Sequence, residues 1–594
     1  MNVERKKHTE TLEATNQFVV TMIPCISQFC CLQPAHDSAS PPIKVEKDLE
    51  EDLTGNHVKE KKKLGGWKTF PFIIGNEICS TAAASNLTAN MIVYLTTKFN
   101  IKNIQATNII NISNGGSQLA PLIGSFIADS YLGRFYTISI GSVVSLLAMV
   151  LLTLTAIISS LRPPECSLQL QVEACHGPST AQYAVLYLYF ALTSIGSGAI
   201  SYNSSAFGAD QFGKETAEGM RKIQSFFNWY YFGLYTSFIV AATVIVYIQA
   251  NVSWAWGFGI CAVLTGISVA LFFWGTNLYI RARPEGSPFT GLAQVVVAWV
   301  RKRNLQLPSN AEDLYMTESA KPPLTQHLRF LNKAAIKTSG DFQSEGQINP
   351  NPWRLCTVEQ IEELKSILKT LPILSSGIIP FIMITQLTTF GALQALTMDR
   401  HLGPHFQIPA ASLMVFSLIS SASILAIYDK VVVPFAASKG LRFTNLQRVG
   451  TGMFIYCVAL GIAAMVERKR LNAEVPISAL WLIPQNVIIG LGDAFQTVGR
   501  IDFFYSEFPE TVRGTAVGLV SASFAAGYYL SSLLVSVLHK NSDWLNDNLN
   551  QGHLDYFYTL MLGMGVLNFV YYIVLARWYK YKAKVYETQN TSTD

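Results

Sequence analysis

The sequence predicts an all-α membrane protein in which twelve transmembrane helices form two six-helix bundles. Of its 594 residues, 50% are hydrophobic and only 14% are charged, whereas about 25% of the residues of a soluble globular chain are charged. The mean hydropathy of +0.28 is high for a chain of this length. The apolar residues also fall into runs of roughly twenty, the length that crosses the hydrocarbon core of a bilayer. Composition and run length together indicate that lipid surrounds the folded chain.

One long polar gap in the middle of the chain divides the apolar runs into two sets of six. At bilayer depth only helices satisfy all their backbone hydrogen bonds internally, so each run is predicted to be a helix. The predicted spans are 68–95, 104–129, 135–160, 181–206, 223–248 and 254–279, followed by 366–391, 411–434, 447–466, 477–499, 514–538 and 556–580.

The polar segments around these runs set the predicted domain boundaries. Within the central gap, the apolar stretch 287–303 ends in three basic residues. It predicts an amphipathic helix that either lies on the membrane surface or packs on the bundles. The predicted parts are a disordered cytoplasmic tail (1–65), the first bundle (66–280), a central cytoplasmic linker (281–358), the second bundle (359–582) and a short cytoplasmic tail (583–594).

Basic residues set the predicted orientation, because cytoplasmic connections are rich in Lys and Arg. Such residues gather before the first span, in the central gap and after the last span, which places both termini in the cytoplasm. The cluster 468–470 is an exception, since it falls on the outer side. Asn251 begins an N-V-S sequon in an outer loop and is a glycosylation candidate. Cys166 and Cys175 share another outer loop, where they form either a disulfide or two free thiols.

Several functional classes are not expected from the sequence. It shows no basic face with interleaved aromatic residues, so no nucleic-acid partner is expected. It also lacks clustered metal ligands, a Cys-x-x-Cys pair, a nucleotide-binding loop and the G-x-S-x-G and H-E-x-x-H motifs. We therefore expect neither an enzyme nor a cofactor. The expected partners are the lipid bilayer and a small-molecule or anion substrate.

A motif joins the second and third spans and is a candidate gate. In Gly124-Ser-Phe-Ile-Ala-Asp129-Ser-Tyr-Leu-Gly133-Arg134, the first glycine permits close helix approach and Gly133 permits a tight turn. Asp129 and Arg134 are predicted to form an ion pair that breaks as the bundles rock. The motif resembles that of the major facilitator superfamily, whose two six-helix halves enclose a site near the bilayer midplane.

Further stretches resemble the plant nitrate/peptide transporter family, within the proton-dependent oligopeptide transporter group. The resemblance extends over about residues 65–585 and rests on Phe207-Gly-Ala-Asp-Gln-Phe212, Ser225-Phe-Phe-Asn-Trp229, Asn351-Pro-Trp-Arg-Leu-Cys-Thr-Val-Glu359 and Phe504-Tyr-Ser-Glu-Phe-Pro509 with Arg513. In addition, the stretch 398–409 (MDRHLGPHFQIP) resembles the branch that contains nitrate-excretion and chloride-efflux carriers. The resemblance implies a secondary transporter.

The chain departs from the family at the positions that serve proton coupling. Relatives carry E-x-x-E-R on the first helix; here Glu77 is kept, but Ser and Thr stand where the second Glu and the Arg would be. Ser201 stands where relatives often have Lys, and Ile384 where some nitrate carriers have His. Asp493 matches a Glu of the tenth helix. Because an acid and a base tune each other's pKa, loss of the base predicts a facilitative or efflux carrier with weak proton coupling.

Other candidate residues follow from their position in the predicted spans. Gln386 and Thr389 share one face of the seventh helix; with Tyr94 and Asn228 they either line a polar cavity or form interhelical hydrogen bonds. Asp493 is ionisable within a span and hence a site candidate, although it could instead be protonated or pair with Arg500.

Ser130 occupies a cytoplasmic turn where some relatives carry a regulatory phosphothreonine. It is therefore a phosphorylation candidate, because a phosphate there would repel the neighbouring carboxylate of Asp129.

The sequence therefore predicts a secondary-active or facilitative transporter of a small polar solute in the plasma membrane or the vacuolar membrane. The branch resemblance favours efflux of an anion such as nitrate or chloride. The lost coupling residues and Asp493 favour an organic solute such as a glycoside or an alkaloid. Di- and tripeptides are less favoured, because the Lys and Arg that would hold a peptide carboxylate are missing. A non-transporting sensor or scaffold is the alternative outside transport.

Overall fold

The structure is a computed structural model. It describes residues 65–164, 177–212, 217–281, 286, 288–308, 314–316, 325, 327–338, 341, 350–404, 406–432, 435, 438–439, 443–508, 513–579 and 581. The predicted tails, except for Gly65, lie outside the described residues, as do Cys166 and Cys175 and hence their predicted disulfide.

The first six predicted spans are helices in the structure. Helix α5 continues beyond Val240 through a π-helical turn, Ala241–Ile245, into Val246–Asn251. A capping box formed by Ser179 and Gln182 fixes the start of α4, since each side chain bonds to the backbone N–H of the other residue. The helices are α1 (Phe70–Thr97), α2 (Asn103–Ile127), α3 (Arg134–Ile157), α4 (Thr180–Asp210), α5 (Ala217–Val240) and α6 (Trp254–Trp274).

The second half begins with a linker helix and continues with the helices of the second bundle. Equivalent capping boxes, Thr357 with Gln360 and Thr444 with Gln447, start α8 and α11. The helices are α7 (Pro288–Lys302), α8 (Val358–Ser375), α9 (Ile378–Leu396), α10 (Val415–Ile427), α11 (Asn445–Leu471), α12 (Ile483–Glu507), α13 (Arg513–Asn541) and α14 (Leu554–Trp578).

The prediction of a single seventh helix over 366–391 is wrong. That span consists of α8 and α9, which are interrupted at Ser376 and Gly377. Pro380 lies in the first turn of α9, where its missing N–H costs nothing, but it cannot donate to the carbonyl of residue 376. A helix that ran through this point would lose that hydrogen bond.

Eight of the described helices are long and apolar enough to cross a bilayer, judged by length and composition alone. Large apolar side chains on them remain exposed; Val263 on α6 is 63% exposed and Leu567 on α14 is 73% exposed. A lipid environment suits such surfaces. The eight segments are Arg134–Ile157, Thr180–Asp210, Arg221–Asn251, Trp254–Asn277, Ile378–Leu396, Asn445–Leu471, Gly518–Asn541 and Leu554–Trp578.

Glycines set the closest helix approaches in both bundles. A methyl group on Gly124 of α2 would collide with the carbonyl of Gly198 on α4, and one on Gly490 of α12 would collide with the carbonyl of Ser417 on α10. Small residues let helices approach closely in membranes, where packing rather than water exclusion drives helix association.

The linker helix α7 packs on protein, so the structure shows the second of the two predicted arrangements. Val295 and Ala298 are completely buried against Val358 and Ile361 at the start of α8. Lys302 ends the helix as a buried cation, whose Nζ donates to Asp341 Oδ2 at 2.9 Å and to the Ile336 carbonyl at 2.6 Å. The linker is thereby joined to the second bundle.

Candidate functional site

A polar cavity of about 90 Å³ lies inside the first bundle, between α1, α3, α4 and α6. Glu77 supplies its carboxylate and Ser201 reaches it from α4, so two of the residues that the sequence predicted lie at one cavity. Among the described lining residues there is no Lys, Arg or His. Hydroxyl groups dominate the rest of the polar lining, which comprises Ser80, Thr81, Ser145, Thr193, Ser197 and Thr265.

Glu77 is buried, with 6% of its surface exposed. Thr81 donates a long hydrogen bond of 3.5 Å to Oε1, and the hydroxyls of Ser204 and Tyr230 lie beside the same carboxyl group. Within the described part of the chain, Oε2 makes no hydrogen bond of normal geometry. The carboxyl group therefore has three hydroxyl neighbours, and its Oε2 has no hydrogen bond of normal geometry among the described residues.

Ser201 is exposed to the cavity, and its Oγ donates to the carbonyl of Ser197 at 2.8 Å. The neighbouring Tyr202 hydrogen-bonds to Ser521 on α13, in the other bundle. The position thus has a hydroxyl group where the resemblance placed a lysine in relatives, next to a contact between the two bundles.

Asp493 is half-buried on α12 in the second bundle. Its Oδ1 accepts hydrogen bonds from Thr497 at 2.7 Å and Tyr456 at 3.2 Å. Arg500 is almost fully buried, and it donates to Ser523 at 2.9 Å and to the Gly377 carbonyl at 3.3 Å. The predicted alternative of an Asp493–Arg500 pair is wrong for this conformation, since seven residues separate the two by about 10 Å along the helix.

Sequence analysis considered Arg500 only as an alternative partner of Asp493. Its guanidinium binds at the interruption between α8 and α9, and a methyl group on Gly377 would collide with it. Its Nε is buried without a hydrogen-bond partner among the described residues. An arginine one residue beyond the predicted span 477–499 was the available signal, but the break at which it binds was not predicted.

The candidates on the seventh span make different contacts. Gln386 is fully buried and donates to Ser531 on α13, which is the predicted alternative of interhelical hydrogen bonding. Ile384 and Thr389 are half-buried on α9. The side chain of Asn228 lies outside the described residues. For Ile384 and Thr389, contact with a solute stays a prediction.

Tyr94 lies in an aromatic cluster of the first bundle. It is completely buried against Phe99, Trp254 and Phe258, and its hydroxyl pairs with Thr155 at 3.0 Å. The hydroxyl bond from α1 to α3 is the predicted alternative of an interhelical hydrogen bond, and the side chain does not line a cavity because these rings surround it. Packing between the C-terminal end of α1 and the N-terminal end of α6 explains the position of this side chain in the present conformation.

The predicted ion pair at the end of α2 is present. The guanidinium of Arg134 lies 3.2 Å from Asp129 Oδ1 and also pairs with Asp210 at the end of α4. Asp210 belongs to the stretch 207–212 that carried the family resemblance, but sequence analysis did not predict that Asp210 pairs with Arg134. In the second bundle, Arg448 of α11 pairs with Asp502 of α12 at 3.2 Å, a contact that sequence analysis missed. The gating role of these pairs stays a prediction.

The two modification candidates differ in accessibility. Asn251 is exposed at the end of its helix, as a glycosylation site requires, and its modification stays a prediction. Ser130 is only half-exposed, and its Oγ is buried without a hydrogen-bond partner in the described structure. Ser130 lies in the π-helical turn Ala128–Leu132, and its phosphorylation stays a prediction.

The basic cluster 468–470 on the outer side has a structural explanation. Arg470 is buried and forms a bidentate pair with Glu467, at 2.7 and 2.8 Å. Lys469 lies 3.4 Å above the ring of Trp481, as a cation–π contact. All three residues end α11, where positive charge is favourable. The i, i+3 spacing of Glu467 and Arg470 was the overlooked signal.

Comparisons with known proteins agree with this architecture. A family model described as PTR2, POT family, matches residues 135–549. Among similar proteins of Arabidopsis thaliana, Protein NRT1/PTR FAMILY 2.13 is 43% identical over 550 residues, which cover 88% of each chain. Protein NRT1/PTR FAMILY 2.12 is 41% identical over 541 residues, which cover 88% of this chain and 93% of that protein.

Solved structures show the same fold. An auto-inhibited POT family peptide transporter superposes with a TM-score of 0.67 at 17% identity, covering 86% of this chain and 97% of that chain. The POT family transporter PepTSo gives a TM-score of 0.66 at 18% identity, covering 86% and 98%. The predicted fold of two six-helix bundles is thereby confirmed.

Proposed function

Because the chain belongs to the POT family, and is therefore a multi-pass membrane transporter rather than an enzyme, we propose that it carries a polar organic solute. The solute is uncharged or cationic and bears hydroxyl or amine groups, as glycosides and alkaloids do. The observation that carries the proposal is the acidic character of both bundles, where Glu77 and Asp493 are the ionisable candidates.

The cavity in the first bundle supports a donor group rather than an anion. Its carboxylate oxygen without a partner and its serine and threonine hydroxyls accept hydrogen bonds from O–H or N–H groups. An anion there would meet a carboxylate and no described cation, an unfavourable arrangement at low dielectric. A volume of about 90 Å³ suits one polar group of a larger solute.

Weak proton coupling is part of the same proposal. The described lining of the cavity contains no base that could exchange partners with Glu77 as protons bind and leave. Alternating access needs only two bundle arrangements whose populations the solute shifts. Facilitated transport or efflux is therefore proposed, in either the plasma membrane or the vacuolar membrane.

Efflux of nitrate or chloride is the second candidate, and a specific residue favours it. Arg500 is a buried cation in the second bundle, and no carboxylate within the described ranges lies within ion-pair distance of it. An anion that reached the break between α8 and α9 would find a positive charge. The resemblance of the stretch 398–409 to anion-efflux carriers also supports this candidate.

Flux in oocytes that express the chain tests both candidates. Nitrate, chloride, a neutral glycoside and a cationic alkaloid are compared at acidic and neutral pH, for wild type, Glu77→Gln and Asp493→Asn, with the exposed Glu474→Gln as the matched control. We expect alkaloid or glycoside flux with little pH dependence, reduced about tenfold in the two site variants and unchanged in the control.

The other outcomes of this experiment are equally informative. Anion flux that both site variants leave intact would contradict the organic-solute proposal and support the second candidate. Flux that acid strongly enlarges would contradict weak coupling. Absence of all flux, with the protein at the cell surface, would support the sensor or scaffold alternative.

A further inference from the structure

The loop 542–553, between α13 and α14, contacts both bundles at the end of the molecule opposite the linker, here called the outer end. Leu545 and Leu549 of this loop are buried in the main apolar core. The loop is also held internally, since the His553 amide donates to the Trp544 carbonyl at 2.9 Å. It is therefore a packed part of the structure with a defined position.

Arg470 fixes the loop to the second bundle. Its guanidinium donates to the Leu549 carbonyl at 3.2 Å and to the side chain of Asn550, while its bidentate pair with Glu467 holds it in place. Glu467 also accepts a hydrogen bond of 2.6 Å from Gln394 on α9. Both charges are buried, and removal of one partner of such a pair is strongly unfavourable. The loop, α9 and α11 therefore form one durable unit.

The contacts from this unit to the first bundle are different in kind. Asn103, the first residue of α2, donates its side-chain amide to the Asp547 carbonyl at 2.7 Å. Lys102 lies 3.4 Å from the Asp547 carboxylate, in a pair whose lysine side chain is 75% exposed. An exposed pair of this kind contributes little stability.

A second asparagine of α2 extends the same interface further from the outer end, toward the middle of α2. Asn108 accepts from Ser532 and donates to Ser536, two hydroxyls of α13, both at 2.9 Å. These are neutral hydrogen bonds, each with a modest net contribution to stability. The polar contacts across the bundles are thus individually weak, whereas the ionic contacts within the second bundle are strong.

We propose that the loop 542–553 is the latch of the outer gate, released and reformed in each transport cycle, with Asn103 as its positioning residue and Asn108 as the adjoining contact between α2 and α13. Strong contacts keep the latch on the second bundle, and weak contacts let it leave the first bundle. Arg470 positions the latch through Leu549 and Asn550. The proposal depends on alternating access alone and does not depend on which solute is carried.

Accessibility from outside the cell tests the latch. Ser201→Cys places a thiol at the cavity, and its labelling by a membrane-impermeant thiol reagent reports outer opening. The modified peptide is identified by mass spectrometry, so native cysteines do not interfere. Asn103→Ala should raise the labelling rate about fivefold, the factor that about one net hydrogen bond provides, and Asn108→Ala, which removes two hydrogen bonds, by roughly twentyfold. The double variant should show a larger rise than either.

The matched control is Asn541→Ala at the same end of the molecule, because the amide of Asn541 donates to Val537 within its own helix. Its labelling rate should remain that of the Ser201→Cys parent. A rise equal to that of Asn103→Ala would indicate general loosening and overturn the proposal. So would an unchanged rate in the double Asn103→Ala, Asn108→Ala variant, provided that the thermal unfolding temperature shows the protein to be folded.

A charge exchange tests the ion pair separately. Lys102→Asp places two carboxylates together and should speed labelling. Addition of Asp547→Lys restores opposite charges and should return the rate to that of the parent. This rescue distinguishes a latch contact from a structural role of either residue, and failure of the exchange to restore the rate would contradict the role of the pair.

Discussion

The two bundles carry the same kind of ionic contact at their linker ends, but with different partners. Arg134, the first residue of α3, pairs with Asp129 and Asp210 from two other helices. Arg448, near the start of α11, pairs with Asp502, and its guanidinium lies 4.6 Å from the ring centroid of Tyr428. The first bundle thus uses two carboxylates where the second uses one carboxylate and an aromatic face.

The same register extends into the candidate site. Ser201 lies nine residues before Asp210 on α4, and Asp493 lies nine residues before Asp502 on α12. Gly198 and Gly490, three residues earlier still, both bring their helix close to a neighbour. The bundles therefore share their packing and their ionic contact, but differ at the candidate site residue, which is serine in the first bundle and aspartate in the second.

This difference separates scaffold from specificity. The two glycines occupy equivalent positions of close helix approach, and the two arginines occupy equivalent positions of ionic contact. At the candidate site position the first bundle has the hydroxyl group of Ser201 and the second bundle has the carboxylate of Asp493, whereas the carboxylate of the first bundle, Glu77, lies on α1. Such asymmetry suits a solute with unlike ends, and the following substitutions test whether the comparison holds.

The largest effect is expected from the packing glycines. A methyl group in Gly198→Ala would lie 2.6 Å from the Cβ of Ala120, and one in Gly490→Ala would collide with the Ser417 backbone. Each substitution should lower the free energy of unfolding by about 3 kcal/mol, measured by thermal unfolding in detergent. Gly563→Ala, which meets no atom within 4 Å, should be neutral or slightly stabilising. A loss of stability in only one of these two glycine variants would contradict the inference that the two bundles share this packing.

The ionic contacts should differ in their effect on flux. Arg134→Gln leaves Asp129 and Asp210 facing each other without a cation, and flux should fall by roughly 150-fold or more, as expected for loss of two charge-assisted hydrogen bonds worth about 1.5–3 kcal/mol each. Arg448→Gln removes one such bond and should cost roughly tenfold. Flux per molecule at the cell surface measures both, and Arg134→Lys should recover part of the loss. Equal losses would contradict the inferred difference between the two contacts.

A reciprocal exchange at the site sharpens the comparison further. Asp493→Ser gives the second bundle the side chain of the first, and Ser201→Asp does the converse. If the carboxylate attracts a cationic solute, Asp493→Ser should reduce its flux about tenfold, while Thr497 and Tyr456 lose an acceptor. The double exchange should restore part of the flux. An unchanged flux in Asp493→Ser would make this residue structural.

The sequence predicted the parts of the molecule that depend on local pattern. Apolar run length located the helices, and the motif at 124–134 located the pair of Asp129 with Arg134, five residues apart. Local pattern did not locate Asp210, because its contact with Arg134 spans 76 residues. The outer contact of Asn103 with Asp547 spans 444 residues. Partners so far apart are determined by the assembled bundles.

Other differences have local causes that were available but ambiguous. Gly377 and Pro380 interrupt the seventh span, yet each residue is tolerated inside many membrane helices, so neither predicts a break by itself. Tyr94 has a polar hydroxyl and an apolar ring, and only the surrounding rings show that packing decides its position. Asp493 was easier to select, because a carboxylate in a span is rare.

The smallest effect is expected at the part of the linker that packs on the start of α8. Burial raises the pKa of the Cys356 thiol from 9.0 to about 11, partly opposed by the charge of Lys302. A raised pKa means that the folded state holds the thiol proton more tightly than the unfolded state does. The contribution of this thiol to the free energy of unfolding is therefore fully present below pH 9.0 and is lost as the pH rises toward 11.

Cys356→Ala removes this pH dependence. Between neutral and alkaline pH, the free energy of unfolding should fall in both proteins, and the fall should be about 1 kcal/mol smaller in the variant than in wild type. Thermal unfolding at both pH values measures the difference, and solute flux at neutral pH should not change. Identical alkaline losses in the two proteins would show that the thiol becomes exposed, and hence that the linker leaves the second bundle.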